Sequence, residues 1–410
     1  MRKRNILIIG AGGVAHVAAH KIAQNNDLFG DIYLVSRSIK SCQQILNSIE
    51  HKQNYKDTSN KIQIKQLDVF NVKELNNILK QCNISITINL ASAFCNMTIL
   101  DACIKNGSAY IDTAIHEDPS KVCEDPPWYA NYEWKRKNSC LQNGITAILG
   151  AGFDPGVVNA YVSYAKNHYF DSIDTIDIMD VNAGIHNKYF ATNFDPEINF
   201  REFIKVWVWL NKQWVCKPIH FEKKKYNFPV IGEQTVYLTG HDEIHSLATN
   251  INANSIRFWM GFSSHYLNCF NVLKNIGLLS EKTITTAEGL KVVPLKVVKA
   301  CLPNPKTLAP YYTGKTCIGV LINGTSKTQR KELFIYNICN HESCYNEVES
   351  QAISYTAGVP AVSAAILINN GIWDVKKMVN IEELNPDPYI KLLKQMNLTT
   401  EIIEINKLVI

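Results

Sequence analysis

The sequence predicts an α/β fold, with a doubly wound parallel sheet in a first domain and α+β structure in a second. Three observations lead to this prediction. An apolar, β-branched run at residues 5–9 enters a glycine-rich turn. Strand-like and helix-like stretches then alternate through the first third of the chain, as in parallel sheets with helices on both faces. From Phe153 onward the pattern changes to alternating, β-rich runs, which indicates a different architecture.

The first domain is predicted to span residues 1–152. Its strands are expected at residues 5–9, 31–35, 61–67, 84–90, 109–112 and 145–149. Helices are expected between them, for example at residues 14–24, 72–80 and 98–105. Because ligands of such sheets bind beyond the carboxyl ends of the strands, the residues that follow each strand are the first candidates for a site.

The second domain is predicted to span residues 153–347 and to provide both a substrate site and a dimer interface. Asp154 is expected to cap a helix that ends at Lys166, with Pro155 in its first turn. The basic run at residues 223–225 is interpreted as a solvated strand end or turn. Strands are expected at residues 172–181, 214–221, 234–238, 255–262, 315–322 and 331–338.

The C-terminal segment, residues 348–410, is predicted to return to the first domain. Its first part, residues 348–369, has an apolar, helical pattern with an interruption at Gly358-Val359-Pro360. The apolar stretch within it is too short to span a bilayer, so no membrane segment is expected.

Charge and cysteine content narrow the class of protein. The net charge of +5 is spread along the 410 residues without a basic tail, so no nucleic-acid partner is expected. The basic residues 1–4 before an apolar run imitate a secretory signal, but that run is interpreted as the first strand. Twelve cysteines without C-x-x-C pairs favour a reduced, cytoplasmic protein with no metal site.

The turn after the first strand reads Gly10-Ala11-Gly12-Gly13-Val14-Ala15, a G-x-G-x-x-A pattern. In a Rossmann unit the first glycine permits the tight bend, and the second lets the backbone approach a pyrophosphate. The small third residue lets the helix pack on the strand. Amide groups at the helix N-terminus then face the phosphates. With strand, helix and second strand at the right spacing, this turn predicts a dinucleotide site.

The end of the second strand indicates which dinucleotide is bound. An NAD-binding chain usually carries an acidic residue there, which accepts hydrogen bonds from the ribose 2′-hydroxyl and would repel a 2′-phosphate. This chain offers hydroxyl donors and positive charge instead, so NADP is expected. The predicted cofactor contacts are Gly10, Ala11, Gly12, Gly13, Val14, Ser36, Arg37, Ser38, Lys40, Asp68, Val69, Ala91 and Ser92.

Several stretches of the chain resemble a known family. Gly152-Phe153-Asp154-Pro155-Gly156-Val157 resembles the G-[FL]-D-P-G turn of the saccharopine dehydrogenase-like reductases. Four further stretches are similar to the polyamine-forming members of that family, at residues 182–186, 191–199, 314–319 and 351–361. The resemblance covers nearly the whole chain. Departures are small: Ala15 stands where many relatives have glycine, and Ala151 where some have cysteine, so a catalytic thiol is not expected there.

The resemblance implies a reductive condensation that uses NADPH. L-aspartate 4-semialdehyde would join 1,3-diaminopropane or putrescine, giving carboxynorspermidine or carboxyspermidine. One alternative is a saccharopine reductase, which pairs aminoadipate semialdehyde with glutamate. A second alternative is an NADP-binding sensor without activity. The first two differ in the charge of the amine partner, because a diamine is cationic and glutamate is anionic.

Forming and reducing an imine requires a proton donor and a carboxylate near the iminium. Asp112, Asp154 and His186 are the candidates for these catalytic roles, and His116 is a further proton carrier. Each also has a structural interpretation: the two aspartates could cap turns, and a lone histidine is more often structural.

Substrate contacts are expected from the second domain. The carboxylate of the semialdehyde calls for an arginine, and Arg201 and Arg257 are the candidates. Arg257 lies in an aromatic strand, where it must be either paired or directed to a site. The cationic tail of the diamine calls for a carboxylate, and the sequence does not rank Asp180, Glu197 and Glu233. Asn193, in one of the family-like stretches, completes the predicted set.

Overall fold

The computed structural model describes residues 3–121, 124–201, 206–220 and 222–405. Its strands are β1 Asn5–Ile9, β2 Ile32–Ser36, β3 Gln63–Gln66, β4 Ile84–Asn89, β5 Ala109–Ile111, β6 Ala147–Leu149, β7 Ser172–Asn182, β8 Val206–Leu210, β9 Gln213–Lys217, β10 Lys223–Phe228, β11 Gly232–Thr239, β12 Ser255–Gly261, β13 Ile284–Thr285, β14 Lys291–Val292, β15 Lys315–Ser326, β16 Gln329–Asn340, β17 Met378–Asn380 and β18 Glu401–Glu404. Its α-helices are α1 Gly13–Ala23, α2 Ile39–His51, α3 Val72–Gln81, α4 Asn96–Asn106, α5 Lys137–Gln142, α6 Val157–His168, α7 Pro196–Arg201, α8 Glu243–Asn250, α9 Ser264–Asn275, α10 Pro294–Cys301, α11 His341–Val348, α12 Ala352–Asn369 and α13 Asp387–Gln395.

The first sheet has seven parallel strands in the order β17-β6-β5-β4-β1-β2-β3. The six strands expected from the sequence are all present, within two residues at most ends, which confirms the doubly wound α/β prediction. The strand order reverses at β1, which pairs with β2 on one side and β4 on the other. A crevice for ligands is expected at the carboxyl ends of strands around such a reversal.

The second sheet has nine strands and is mixed. Its main path runs β10-β11-β12-β7-β15-β16-β18. Off this path, β8 pairs with β12, and β9 pairs with β8. Strands β12 and β7 are parallel, whereas the other pairs are antiparallel. The prediction of a strand at residues 214–221 matches β9 only over its first half, and Phe221 lies outside the described residues.

The basic run at residues 223–225 forms the first three residues of strand β10, as its interpretation as a strand end predicted. Alternation along the edge strand explains how three lysines are accommodated. Lys224 lies 3.1 Å from the Asp177 carboxylate on one face, and Lys225 lies 2.8 Å from Glu233. Lys223 is exposed to solvent.

The C-terminal segment serves both sheets. Helix α12 packs along α1 in the first domain, β17 extends the first sheet beside β6, and β18 extends the second sheet beside β16. Helix α12 continues without a break through Gly358 and Pro360, so the predicted interruption is wrong. Among the described helices it is the one long and apolar enough to cross a membrane, and 89% of it is buried within the protein.

Close packing between α1 and α12 explains the glycine in the middle of α12. A Cβ atom on Gly358 would lie 2.8 Å from Val17 Cβ and 2.9 Å from Val14 O. Those distances are shorter than van der Waals contact, so only glycine allows the two helices to approach this closely. Tertiary packing therefore outweighs the intrinsic cost of about 1 kcal/mol for glycine in a helix.

Replacing Gly358 by alanine should destabilise the protein, although alanine is the better helix former. The added methyl group should cost about 1–3 kcal/mol in strain. Urea unfolding measures the change, and Ala357→Gly in the adjacent position reports the intrinsic cost of glycine in this helix. A Gly358→Ala protein more stable than wild type would contradict the packing argument.

Candidate active site

The glycine turn after β1 is shaped by its neighbours. Gly10 has φ +119°, and a Cβ atom there would lie 2.5 Å from Leu90 O at the end of β4. Gly12 differs, because a Cβ atom on it would meet no described atom within 4 Å. Helix α1 begins at Gly13, and its N-cap Gly12 supplies no side-chain cap. The amide end of α1 is therefore open to an anion beside a backbone that no side chain covers.

The loop after β2 lies next to this turn, since Gly10 N donates to Val35 O at 2.9 Å. Ser38 is the N-cap of α2, and its Oγ accepts a hydrogen bond from Ser41 N at 3.2 Å. The Arg37 carbonyl accepts a hydrogen bond from Gln66 Nε2 at 3.0 Å, which fixes the loop to β3. The side chains of Arg37 and Lys40 are exposed, and Ser36 is half-buried.

The remaining predicted cofactor contacts lie at the ends of β3 and β4. Asp68 is exposed and accepts a hydrogen bond from Phe70 N at 3.1 Å, while Val69 is buried. Ala91 N donates to Asn89 Oδ1 at 3.2 Å. Ser92 is the cap of a short 3-10 helix, Ala93–Cys95. The predicted cofactor residues therefore lie along one continuous edge of the first sheet.

Asp112 follows β5 at the same edge of the sheet. Its Oδ1 accepts a hydrogen bond from Gly150 N at 2.7 Å, and its carbonyl accepts from Ala151 N at 2.6 Å. Its Oδ2 has no hydrogen-bond partner among the described residues. Burial raises the pKa of Asp112 to about 7, so the carboxyl group is partly protonated at neutral pH.

Asp154 does not cap the helix that follows it, so that prediction is wrong. Helix α6 begins at Val157 behind Gly156, whose φ is +139° and whose N–H donates to Asn159 Oδ1 at 2.9 Å. A Cβ atom on Gly156 would lie 2.0 Å from Gly152 O. The chain folds back on itself between these two glycines, which places Asp154 at the tip of a tight turn rather than at the helix end.

Two acids hold the loop that follows Asp112. Asp242, from the second domain, accepts a hydrogen bond from Ile115 N at 2.8 Å. Glu133 accepts one from His116 N at 2.7 Å. The loop after β5 is therefore fixed to both domains through carboxylates. These acids belong to a group that we call the acidic cluster: Asp112, Glu117, Glu133, Asp180, Asp242 and Glu243.

Burial and mutual repulsion raise the pKa values of five acids in the cluster: Asp112, Glu117, Glu133, Asp180 and Asp242. Burial is the larger cause, and it raises the pKa of Glu117 and Asp180 to about 7, of Asp242 to about 6 and of Glu133 to about 8. Within the cluster, four carboxylate oxygens have no hydrogen-bond partner among the described residues: Asp112 Oδ2, Glu133 Oε2, Asp180 Oδ1 and Glu243 Oε1. Unpartnered buried acids of this kind are costly, so they indicate a site for a cation.

The members of the acidic cluster differ in access. Glu117, Asp180 and Asp242 are partly exposed. Asp112, Glu133 and Glu243 are buried behind them, each no more than 1% exposed. His241 Nδ1 contacts Glu243 Oε2 at 2.5 Å and stacks on the Phe258 ring at 4.1 Å. A ligand reaching the cluster would therefore meet the three partly exposed acids first.

A polar network joins the family-like stretches of the second domain. Tyr312 OH accepts a hydrogen bond from Asn182 Nδ2 at 2.7 Å and donates to Asn193 Oδ1 at 2.8 Å. His341 stacks on the Tyr312 ring at 3.8 Å. Because His341 Nδ1 accepts from Ala352 N at 3.2 Å, its Nε2 carries the proton that it donates to Asn182 Oδ1 at 3.0 Å.

The two candidate proton carriers lie on opposite sides of the site. His186 is half-buried, with its ring 5.2 Å from the Tyr312 ring, and burial lowers its pKa. His116 Nδ1 contacts Ala93 O at 3.0 Å, and burial lowers its pKa as well. His116 thus fastens the loop after β5 to the loop after β4, which is a positioning role.

Arg201 does not have a free guanidinium group for a substrate. It contacts Glu281 at 2.8 Å, Glu117 at 3.2 Å and Glu197 at 3.9 Å. Two carbonyl oxygens of the first domain, at residues 118 and 119, accept further hydrogen bonds from it. Glu197 also pairs with Lys299 at 3.1 Å. Both predicted substrate contacts therefore belong to an ion-pair network that joins the domains.

Arg257 is likewise paired within the protein. Its Nε and a terminal nitrogen donate to the Asp177 carboxylate at 2.6 and 2.9 Å, and Trp259 Nε1 donates to the same group at 3.0 Å. Strands β12 and β7 place Arg257 opposite Asp177. We therefore assign Arg257 to a structural ion pair and not to the substrate carboxylate. Glu233 lies on the edge hairpin, paired with Lys225.

Comparison with known proteins accounts for this arrangement. Residues 6–148 match the model of the saccharopine dehydrogenase NADP binding domain, and residues 152–399 match that of the saccharopine dehydrogenase C-terminal domain. The chain is 44% identical to carboxynorspermidine synthase of Vibrio alginolyticus over 98% of this chain and 97% of that protein. The chain belongs to the saccharopine dehydrogenase family.

A second sequence relative and one solved structure are also similar to this member of the saccharopine dehydrogenase family. Carboxyaminopropylagmatine dehydrogenase of Synechocystis sp. is 39% identical over 96% of both chains. The structure of saccharopine dehydrogenase (L-Glu forming) from Saccharomyces cerevisiae aligns with a TM-score of 0.68 at 12% identity, covering 98% of this chain and 100% of that one. That similarity concerns the fold alone.

Family membership makes this protein an oxidoreductase that uses NADP. The residues at the edge of the first sheet fit that cofactor. The bare backbone at Gly12 and the open end of α1 suit a pyrophosphate, and the exposed Arg37 suits a 2′-phosphate. When bound, the reduced form, NADPH, would supply the hydride.

Sequence reasoning missed several residues of the site of this saccharopine dehydrogenase relative. Asp242 and Glu243 form an acidic pair just after β11, and this pair could have been recognised in the sequence as a candidate for the site. Glu133 lies in an irregular stretch and gave no signal. Tyr312 and His341 lie just outside the family-like stretches, and their role depends on the register of β15 and β16.

Gly12→Val should abolish NADPH binding without unfolding the protein. Gly12 has φ −78°, which any residue can adopt, and its side-chain position meets no described atom. A valine there would occupy the space of the pyrophosphate. Fluorescence titration with NADPH and a thermal melt measure the two effects. Near-normal NADPH affinity in a folded Gly12→Val protein would contradict the assignment.

Asp177→Asn should lower stability and leave the kinetic constants for both substrates nearly unchanged. The cost should be about 1–3 kcal/mol, because Arg257 and Lys224 would lose their shared carboxylate. Arg330→Lys is the control, since its pair with Asp174 is exposed and should contribute little. A selective rise in the Michaelis constant for the aldehyde would instead show that this ion pair reaches the substrate.

Proposed function

We propose that this protein catalyses the NADPH-dependent reductive condensation of L-aspartate 4-semialdehyde with 1,3-diaminopropane or putrescine. The product would be carboxynorspermidine or carboxyspermidine, in polyamine biosynthesis. The observation that carries the proposal is the acidic cluster, which places unpartnered carboxylate oxygens at the edge of β5 where the two domains meet. The ammonium groups of a diamine would provide a cationic partner for these carboxylates.

The charge of the site favours a diamine over glutamate as the amine partner. Glutamate would bring two carboxylates, which call for unpaired cations. Arg201 and Arg257 are both occupied by carboxylates of the protein. The relative from Vibrio alginolyticus is named for carboxynorspermidine and the one from Synechocystis for carboxyaminopropylagmatine. Both names support a polyamine product rather than saccharopine.

Asp242 and Glu117 are suited to bind the distal ammonium group of the diamine. Both are partly exposed, and both have pKa values raised by burial. An ammonium ion beside them would stabilise their ionised forms, because opposite charges in a site of low polarity attract strongly. Binding a diamine should therefore release protons from the acidic cluster.

Asp112 is suited to move the protons of imine formation. The reacting amine must lose a proton before it attacks the aldehyde, and the carbinolamine must gain one to release water. A carboxyl group with a pKa of about 7 can do both near neutral pH. Its Oδ1 is fixed by Gly150 N, which leaves Oδ2 to carry the proton. The ionised form would then stabilise the iminium.

Asp242→Asn should raise the Michaelis constant for the diamine by roughly 10- to 150-fold, the equivalent of one charge-assisted contact. The constants for NADPH and the semialdehyde should change little. Asparagine keeps an oxygen that can accept the hydrogen bond from Ile115, so the loop should stay in place. Steady-state kinetics measure the effect.

Asp171→Asn is the matched control for that variant, because Asp171 is an exposed acid at the opposite end of β7 from Asn182. An unchanged diamine constant in Asp242→Asn would refute the role of Asp242. NADPH oxidation by the wild type with aspartate semialdehyde and each amine in turn tests the function itself. Turnover with glutamate and aminoadipate semialdehyde, or none with any amine, would overturn the proposal.

We also propose a homodimeric assembly and a cytoplasmic location. A dimer would cover exposed apolar residues of the second domain: Val272, Ile276, Ile284, Leu290 and Val297. Light scattering tests the dimer. The absence of nucleic-acid and membrane partners stays a prediction from the sequence.

A further inference from the structure

Lys306 reaches from the second domain to the glycine turn of the first. It lies in a short 3-10 helix, Pro305–Tyr311, and its Nζ donates a hydrogen bond to Ala11 O. Ala11 stands between Gly10 and Gly12, so the ammonium group contacts the part of the turn that faces the predicted pyrophosphate. No local sequence pattern indicates this contact, because the two residues are 295 positions apart.

The backbone that carries Lys306 is firmly held. Lys306 N donates to Asn304 Oδ1 at 3.1 Å, which caps the 3-10 helix. Leu308 and Ala309 are 0% and 3% exposed and anchor the segment in the core. Tyr312, at the end of the segment, belongs to the polar network with Asn182 and Asn193. The position of Lys306 is therefore fixed by the same structure that organises the second half of the site.

Lys306 lacks the partner that comparable lysines have. Burial lowers the pKa of three described lysines, Lys21, Lys224 and Lys306. Lys21 pairs with Glu347 and Lys224 with Asp177. No carboxylate of a described residue lies within ion-pair distance of Lys306. A half-buried ammonium group with only a carbonyl partner is costly, which suggests that its charge serves a ligand.

The surroundings of Lys306 favour an anionic ligand. The positive charge of Lys306 interacts electrostatically with His16, in the first turn of α1, and with Cys42, in the first turn of α2. The ammonium group therefore lies near the N-terminal ends of two helices, where the helix dipoles are positive. Three sources of positive potential meet beside the loop that carries Arg37. Only an anion would be stabilised by all of them.

We propose that Lys306 binds a phosphate group of NADP, so that the cofactor is held by both domains. Phosphate oxygens accept stronger hydrogen bonds from an ammonium group than a carbonyl does, so the contact with Ala11 can give way to the ligand. The inference rests on the use of NADP and not on the identity of the amine. It also explains why a cation of the second domain is directed at the first.

Direct binding measurements test this proposal without catalysis. Lys306→Met should weaken NADPH binding by roughly 10- to 150-fold in fluorescence titrations, the equivalent of one charged hydrogen bond. Lys306→Arg keeps the charge and should retain most of the affinity. Lys296→Met, which removes an exposed lysine of α10, should bind NADPH as the wild type does. Lys306→Ala repeats the test in case the methionine variant does not fold.

Titration with NADH identifies the phosphate. If Lys306 contacts the 2′-phosphate, Lys306→Met should lose affinity for NADPH alone. If it contacts the pyrophosphate, affinity for both cofactors should fall. NADPH affinity within twofold of wild type in a folded Lys306→Met protein would overturn the proposal, and so would an equal loss in Lys306→Arg. Neither result would affect the choice of amine substrate.

Discussion

The close contact between α1 and α12 is the constraint on which the site depends. Gly13 and Gly358 allow it, because a Cβ atom on either would lie within 3 Å of the opposite helix. Helix α12 in this position presents Ser354 to the glycine turn, while Gln351 just before it donates to Asn193 O at 2.8 Å. One buried helix therefore sets the distance between the cofactor edge and the polar network of the second domain.

The charged groups of this protein fall into two sets: ion pairs that stabilise the structure, and groups without such partners at the proposed ligand sites. Arg201 and Arg257 are saturated by acids and hold the structure together. Asp112, Glu133 and Asp180 each keep a carboxylate oxygen without a hydrogen-bond partner among the described residues, and Lys306 has only a carbonyl partner. These groups lie where a cationic amine and an anionic cofactor are expected. Because burial raises the pKa values of Asp242, Asp112 and Glu133, the free protein should lose stability as pH rises from about 4, where these acids ionise in the unfolded chain, to about 6–8, where they ionise in the folded one. That cost is typical of functional sites.

The strands of both domains were predictable to a large extent, whereas the side-chain contacts of the second domain were not. Strand, glycine turn and helix are close in sequence, so Gly10, Gly12 and Arg37 could be assigned from local pattern and spacing. The roles of Arg201 and Arg257 depended on their tertiary partners Glu281 and Asp177, which no local pattern reveals. The same holds for Lys306, whose contact with Ala11 joins distant parts of the chain.

The path of the chain between the two sheets limits how the domains can move. The backbone crosses from the first sheet to the second after β6, returns through α12 to β17, and crosses again to β18. Three covalent connections, rather than one, span the boundary. Any movement of one domain relative to the other must therefore deform all three connections together, which restrains the distance between the cofactor edge of the first sheet and the acids of the second domain.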